Sequence, residues 1–249
     1  PIVFGRQRSY AAATNIAIGL AIYGMAFLLP YAVMYLLMGV VLCCLGFWGF
    51  AQDPVRINLP AQRKRMVLRK QYWLFYLLTF LSGARRQIFI AFAVFLMVAR
   101  FEFSVQEITL LFVVNNGVNY YLSPLIGKAI VRFGERRVLS LEYSAMFFIF
   151  LAYAVVQTKW MVAVLYILDH IFFNFAIAIR TYFQKVSDPR DIAPSMAVGF
   201  TINHIAAVVL PAVGGLLWMV DYRIPFVGGA LLALLSLLAV QGIRLPERP

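Results

Sequence analysis

Residues 127–139 read Gly-Lys-Ala-Ile-Val-Arg-Phe-Gly-Glu-Arg-Arg-Val-Leu, a short basic stretch between two long apolar runs, residues 107–127 and 138–156. A membrane-spanning helix needs about 20 predominantly apolar residues, and each run has about that length. Glycine permits a tight turn, and Lys/Arg-rich loops mark the cytoplasmic side of a membrane. We therefore predict that two membrane-spanning helices are joined here by a basic cytoplasmic turn.

Six further apolar runs lie outward from this hairpin, so the sequence predicts eight membrane spans. They cover residues 10–29, 31–50, 71–99, 160–181, 195–220 and 224–243. Transmembrane β-strands alternate apolar and polar residues over about 10 positions, whereas these runs are continuous. The predicted fold is an all-α integral membrane protein.

The run at residues 71–99 contains two adjacent arginines, Arg85 and Arg86, near its middle. Neither half alone reaches the roughly 20 residues that a span needs, but the whole run exceeds that length. We predict one long helix that carries the arginine pair inside the membrane. A break at Ser82-Gly83 is the alternative, because glycine weakens a helix interior.

The composition excludes the common soluble classes. The 249 residues are 63% hydrophobic and 13% charged, whereas soluble domains are about 45–50% apolar and about 25% charged. The net charge of +12 therefore does not indicate a soluble nucleic-acid binder, and the chain is too apolar to be disordered. Cys43 and Cys44 are adjacent in an apolar run, so we expect two buried thiols that pack as small hydrophobic groups.

The basic residues are divided unequally between the two faces of the membrane. Seventeen of the 22, Arg8 and Arg180 among them, fall in one set of alternate segments, three fall in the other set, and Arg85 and Arg86 lie within a span. Since Lys and Arg mark the cytoplasmic side, both termini are predicted to be cytoplasmic. The longest polar segment, residues 53–70, is predicted to be a cytoplasmic linker that can also lie against anionic lipid.

The basic turn resembles the signature loop of the major facilitator superfamily, written G-x-L-A-D-R-x-G-R-R-x-x-L. Two positions depart from that pattern: Val131 replaces its acidic residue and Glu135 replaces a basic one. The matching residues are Gly127, Arg132, Gly134, Arg136 and Leu139.

A second motif lies in the run at residues 195–220. Residues 211–215, Pro-Ala-Val-Gly-Gly, resemble the P-x-x-G-G element on the fifth helix of a half in drug/proton antiporters of this superfamily, although Leu210 stands where glycine is usual. Its expected role is a kink with close helix contact through small residues. A plain packing pair of glycines is the alternative.

The resemblance implies a twelve-helix transporter of which this chain holds helices 5–12. Residues 1–52 would be the last two helices of a truncated N-terminal bundle, residues 53–70 the linker, and residues 71–249 a complete six-helix C-terminal bundle. Because the first residue is Pro1, we interpret the chain as a fragment or a processed product. An N-terminal segment of the same protein is then an expected partner.

The arginine pair is the first candidate site. Ionisable residues inside a membrane usually face an interior or a water-filled cavity. Arg85 and Arg86 lie about 100° apart around a helix, so at most one can point directly at a given site. Their expected function is to anchor an anionic substrate, since the arginine fork matches carboxylates and phosphates. An interhelical ion pair or a snorkelling side chain is the alternative.

Two further sets of polar residues are candidates for substrate binding or proton coupling. The resemblance implies that the spans at 71–99 and 160–181 face each other across the central cavity, which predicts a proton-coupling or gating pair between the arginines and Asp169 with His170. A structural salt bridge is the alternative. Asn174 follows His170 on the same helix face. The other set can bind substrate or merely join helices by hydrogen bonds, and it comprises Asn116, Asn119, Tyr120 and Ser123.

Together these features predict a secondary transporter that moves a small solute, of anionic character, by alternating access with ion or proton coupling. The cytoplasmic turn is expected to help hold one gating state through Gly127, Arg132, Gly134, Arg136 and Arg137. Two alternatives stay open: a non-transporting major facilitator-like sensor or partner protein, and a lipid-modifying membrane enzyme.

The remaining expectations concern partners and location. The sequence shows no P-loop and no cluster with metal-ligand spacing, so we expect neither an enzyme nor a cofactor. The expected partners are a small-molecule substrate and membrane lipid, not nucleic acid. The expected location is the plasma membrane, most simply a bacterial inner membrane.

Overall fold

The computed structural model describes residues 2–26, 29–52 and 68–244, and over these residues the regular structure is entirely helical. The prediction of an all-α bundle is confirmed. The described residues form ten α-helices, namely α1 (Ile2–Ala26), α2 (Tyr31–Ala51), α3 (Trp73–Ile88), α4 (Val94–Phe101), α5 (Val105–Phe133), α6 (Glu135–Val155), α7 (Lys159–Phe173), α8 (Ile177–Val186), α9 (Ile192–Val220) and α10 (Arg223–Val240).

These helices form eight rods, because two pairs run on through short irregular turns. A π-helical turn at Phe89–Ala93 joins α3 to α4, and a 3-10 turn at Asn174–Ala176 joins α7 to α8. Two more 3-10 turns, Lys70–Tyr72 and Pro189–Asp191, precede α3 and α9. The eight rods correspond in order to the eight predicted spans.

Six of the rods are long and apolar enough to cross a membrane: Tyr31–Ala51, Lys70–Phe101, Glu135–Val155, Lys159–Val186, Pro189–Val220 and Arg223–Val240. Within the described residues, the other two rods, α1 and α5, are not among these six. They are also the two rods that pack most extensively against each other. A span that faces another helix rather than lipid can carry more polar residues.

The arginine-bearing span is one rod, as predicted, but its irregularity lies elsewhere. Ser82 and Gly83 lie inside α3, and the helix loosens about two turns later, at the π-helical turn Phe89–Ala93. Single π turns inside α-helices occur frequently at functional sites. Gly83 instead allows α3 to approach α9, since a Cβ at this position would collide with Asn203.

The predicted basic loop is much shorter than its sequence suggests. α5 continues helical through Phe133, α6 begins at Glu135, and Gly134 alone separates them. Gly134 has φ 81° and ψ 160°, a conformation that is essentially restricted to glycine. The expectation of a loop over residues 127–139 was therefore wrong, because one glycine is enough to reverse the chain.

The contact between α1 and α5 follows from a proline. Pro124 has no backbone N–H, so the carbonyl of Tyr120 loses its usual helical donor. Ser9 of α1 donates its hydroxyl to that carbonyl at 2.6 Å. Gly5 allows the close approach, because a Cβ there would collide with the backbone at Ser123.

α2 packs against little of the chain that the structure describes. Met34 is its one buried residue among those described. Cys43 and Cys44 are exposed, so the expectation of buried thiols was wrong. An apolar helix can expose such side chains when its surroundings are lipid.

The helix with the Pro-Ala-Val-Gly-Gly motif stays continuous, since Pro211 lies inside α9. Gly214 is buried against α3–α4, where a Cβ would lie 2.6 Å from the Phe92 ring, whereas Gly215 has open space around its Cα. One glycine of the pair therefore serves packing.

Most of the predicted linker, residues 53–67, lies outside the described residues.

Candidate functional site

A cavity of about 690 Å³ lies between α1, α3, α8 and α9. Its volume falls within the range that is typical of small-molecule sites, about 300–1,000 Å³. The arginine-bearing rod forms one wall and α8 another. These belong to the two spans that, by the family resemblance, were expected to face each other.

Three arginines from three different helices line this cavity: Arg8 of α1, Arg86 of α3 and Arg180 of α8. They lie within electrostatic range of one another. Among the described residues that line the cavity none is acidic, and none of the described ion pairs involves these arginines. The cavity therefore carries an excess positive charge.

Two of these arginines were not among the site residues predicted from sequence. Arg8 and Arg180 were counted with the cytoplasmic charges, and the structure shows that both also line the cavity. Arg8 donates from Nη1 to the carbonyl of Asn174 at 3.2 Å. That carbonyl lies at the 3-10 turn between α7 and α8, where helical hydrogen bonding is irregular.

The rest of the lining combines amides with apolar groups. Arg86 stacks over the ring of Phe173, 5.0 Å from its centroid. Further aromatic side chains, amides and one imidazole complete the wall, namely Phe75, Phe200, Gln7, Gln87, Asn203 and His204.

Arg85 points away from the cavity. Its side chain is 1% exposed, lies 3.4 Å from Glu142 of α6 and stacks over the ring of Tyr143. Adjacent helical residues diverge by about 100°, which explains why Arg86 faces the cavity and Arg85 faces α6. The alternative reading of an interhelical ion pair thus describes Arg85, with Glu142 and not Asp169 as the partner.

Asp169 is completely buried, and neither of its carboxylate oxygens has a hydrogen-bond partner among the described residues. Arg85 and Glu142 lie within electrostatic range of it, as do the hydroxyls of Tyr153 and Tyr166. Two buried carboxyl groups therefore share one arginine. An ionised carboxylate without a partner is costly in such surroundings.

His170 belongs to a separate chain of hydrogen bonds between α5 and α7. Asn119 donates from Nδ2 to His170 Nε2 at 2.7 Å, and Asn174 donates both to Asn119 Oδ1 and to the backbone carbonyl of His170. Arg8 contacts the carbonyl of the same Asn174. This chain ends at Arg8 on the cavity wall, so it links α5 and α7 to that arginine.

The polar face of α5 differs from the predicted one by part of a turn. Asn116 donates to the carbonyl of Phe112 in its own helix, and Tyr120 is exposed. The buried polar residues are Asn115, Asn119 and Ser123. Which of the adjacent asparagines, Asn115 or Asn116, can contact another helix depends on which one is buried. Sequence spacing alone did not distinguish the two.

The basic turn is fixed by contacts of its own. Arg136 donates two hydrogen bonds to Gln241 at 3.1 and 2.9 Å. Glu135, which departs from the family pattern, is fully buried, and Lys185 lies 2.6 Å from it. Arg132 and Arg137 are exposed, and Gly127 lies inside α5.

A further ion pair at this end of the bundle was missed from sequence. Asp191 lies 2.7 Å from Arg69, at the start of the arginine-bearing rod, and accepts a hydrogen bond from the Tyr72 hydroxyl at 3.2 Å.

Within the described part of the chain, no group of three or more His, Cys, Asp or Glu side chains could hold a metal ion.

A helical bundle with several apolar spans and a polar cavity between them defines the class of multi-pass membrane proteins. The family model of the Major Facilitator Superfamily matches residues 75–249. The chain therefore belongs to this superfamily of membrane transporters, which confirms the resemblance in the basic turn. The match begins within α3 and covers all later helices. No curated protein matches the sequence.

Proposed function

We propose that the protein is a secondary active transporter that moves a small anionic solute through the cavity by alternating access. The observation that carries this proposal is the cavity lining, which contains Arg8, Arg86 and Arg180 and no acidic residue among those described. Arginine binds carboxylates and phosphates through paired N–H donors. A cavity of one charge sign also concentrates ions of the other sign.

The cavity favours a transporter over the two alternatives. A partner protein that binds no solute has no need of a polar, solute-sized space between the arginine-bearing rod and α7–α8, and a solute sensor is distinguished from a transporter by the uptake assay described below. A lipid-modifying enzyme requires a nucleophile or metal cluster at the membrane surface, and the described residues bring no metal-binding group together. The superfamily match favours transport as well.

We assign proton coupling to Asp169. Its buried carboxyl group lies near Arg85, which Glu142 already contacts. The neutral acid suits such surroundings better than an unpaired carboxylate, so a change in water access would change its protonation. His170 lies on the neighbouring hydrogen-bond chain, through which Asn174 connects it to the cavity.

The expected location is a plasma membrane, with both termini and the Gly134 turn on the cytoplasmic side. The charge asymmetry between alternate segments supports this orientation. Arg132 and Arg137, which flank the turn, are exposed. Charged side chains favour water over lipid, so we expect this turn to lie outside the hydrocarbon region.

Uptake by proteoliposomes tests the proposal. Vesicles with an inward proton gradient would be given radiolabelled succinate, glucose 6-phosphate, benzoate or neutral glucose. We expect uptake of at least one anion and not of glucose. Arg86→Gln is expected to reduce anion uptake by about 100-fold, the upper part of the range for losing a charged hydrogen-bonding group.

The matched control is Arg100→Gln, since Arg100 stacks on Tyr222 at the far end of the rod and does not line the cavity. Asp169→Asn is expected to retain anion exchange but lose its dependence on the proton gradient. Wild-type uptake and pH dependence in both Arg86→Gln and Asp169→Asn would contradict the site assignment.

A further inference from the structure

The three cavity arginines are arranged so that they can act on one bound group. They come from α1, α3 and α8, and each lies within electrostatic range of at least one other. The guanidinium group stays charged in proteins. Glu142 lies within electrostatic range of Arg8, but no described carboxylate lines the cavity in which the three arginines repel one another.

The charge of the cavity sets a minimum charge for its ligand. The described lining residues contribute three arginines and no carboxylate. A ligand with one negative charge would leave two of these cations without a counter-charge from the ligand or from the described lining. Two charges on one headgroup can engage Arg86 and Arg180 together, while Arg8 also holds the carbonyl of Asn174.

The orientation of Arg86 agrees with such contacts. Its guanidinium carbon lies over the Phe173 ring, 5.0 Å from the ring centroid, and none of the ion pairs between described residues occupies its N–H donors. This arrangement combines stacking with bidentate binding of a carboxylate or phosphate. It also orders the arginine before a ligand arrives.

Part of the lining is apolar. Phe75, Phe200 and Met196 contribute to the same cavity, and a volume of about 690 Å³ exceeds what a headgroup alone would fill. Small-molecule sites typically combine such an apolar wall with a few convergent polar groups.

We infer that the cavity takes organic anions with two or more negative charges on one end, a phosphomonoester or a dicarboxylate, and an apolar body on the other. This inference rests on the proposed function, since it names the solute class of the same cavity. Arg86 and Arg180 hold the headgroup, Arg8 adds a third contact, and the aromatic side chains hold the body.

Calorimetric binding to the purified full chain in nanodiscs tests the inference at pH 7.5, where a phosphomonoester carries close to two charges because its second pKa is about 6. The probes are phenyl phosphate, phthalate, benzoate and methyl phosphate. The first two carry a ring and two charges, benzoate carries a ring and one charge, and methyl phosphate carries two charges without a ring. Comparing phenyl phosphate with phthalate separates the two headgroup chemistries.

We expect phenyl phosphate or phthalate to bind with a Kd at least tenfold lower than that of benzoate, and phenyl phosphate to bind more tightly than methyl phosphate. Arg86→Gln and Arg180→Gln should each raise the Kd of the dianion by roughly tenfold or more, as expected for the loss of a charge-assisted hydrogen bond. Arg100→Gln should leave it unchanged. The comparison of probes needs only the wild-type chain, so it does not depend on whether a variant folds.

Equal or tighter binding of benzoate would overturn the inference, as would no binding of either ring dianion at millimolar concentrations. So would a dianion Kd that does not change in a folded Arg86→Gln variant. If dianions bind through Arg86 and Arg180 but are not taken up by proteoliposomes, the proposed function fails and this inference stands. If monoanions are transported and bind as tightly as dianions, the proposed function stands and this inference fails.

Discussion

Arg85 and Arg86 are neighbours in sequence but lie in different environments. Arg85 is buried against Glu142 and Tyr143, whereas Arg86 lines the cavity. Helix geometry alone predicted that only one of them could face a given site. It could not predict which one, because that depends on the rotation of α3 relative to α6 and α9.

Glu142 and Asp169 show two different limits of sequence reasoning. Both are acidic residues inside apolar runs, which is the usual signal of a functional or paired group. Asp169 was recognised by this signal, whereas Glu142 was overlooked although the same signal applied. Both carboxyl groups lie near Arg85 because of the way α3, α6 and α7 pack. Residue spacing within one helix cannot predict this arrangement.

Replacing one partner of the Arg85–Glu142 pair should destabilise the bundle. Arg85→Leu leaves a buried carboxyl group without its partner, which typically costs about 3–5 kcal/mol. The double variant Arg85→Leu/Glu142→Leu should recover most of this loss, because replacing a whole buried pair by apolar residues is often neutral or stabilising. Chemical unfolding in detergent micelles measures the free energy of unfolding of each variant.

The exposed Arg137 provides the control, since Arg137→Leu removes an arginine without leaving a buried charge. A double variant as unstable as Arg85→Leu alone would contradict the assignment of Glu142 as the partner.

At the scale of helices, the eight rods followed from apolar run length, and the sequence located them within a few residues. The contacts that position the cavity did not follow from run length. Arg8 reaches the cavity because α1 packs along α5, where Ser9 occupies the carbonyl that Pro124 leaves free. Arg180 reaches it because α7 continues into α8 through a 3-10 turn. Both arginines lie near predicted span ends, so they were counted with the cytoplasmic charges and not among the candidate site residues.

The contact between α1 and α5 should depend on Gly5. A side chain at this position would collide with the α5 backbone at Ser123, so Gly5→Leu should separate the helices and move Arg8 from the cavity wall. We expect a lower melting temperature and weaker anion binding, both measured on detergent-purified protein.

Gly19→Leu is the matched control, because no atom lies within 4 Å of a Cβ built at Gly19. It adds the same side chain to the same helix and should leave both measurements unchanged. Equal effects of the two substitutions would show that the α1–α5 contact does not position Arg8.

At the scale of the whole molecule, the bundle separates two kinds of charge. The Arg85, Glu142 and Asp169 side chains are buried within the bundle, whereas Arg8, Arg86 and Arg180 line the cavity. The hydrogen-bond chain through Asn119, His170 and Asn174 lies beside both. This arrangement provides a physical route by which protonation in the interior can influence solute binding.

Thiol reagents of opposite charge test whether the cavity carries a positive potential and is open to solutes. This test does not require knowledge of the substrate. His204 lines the cavity and is exposed, so it is a suitable position for a reporter cysteine. A His204→Cys variant, in which serine replaces Cys43 and Cys44, would be treated with two methanethiosulfonate reagents. One is the anionic sulfonatoethyl compound and the other is the cationic trimethylammonioethyl compound. After each rate is divided by the rate for free cysteine, the anionic reagent should react faster by roughly tenfold or more. Adding Arg86→Gln should reduce that ratio. A cationic reagent that reacts as fast as the anionic one, with no effect of Arg86→Gln, would contradict the account.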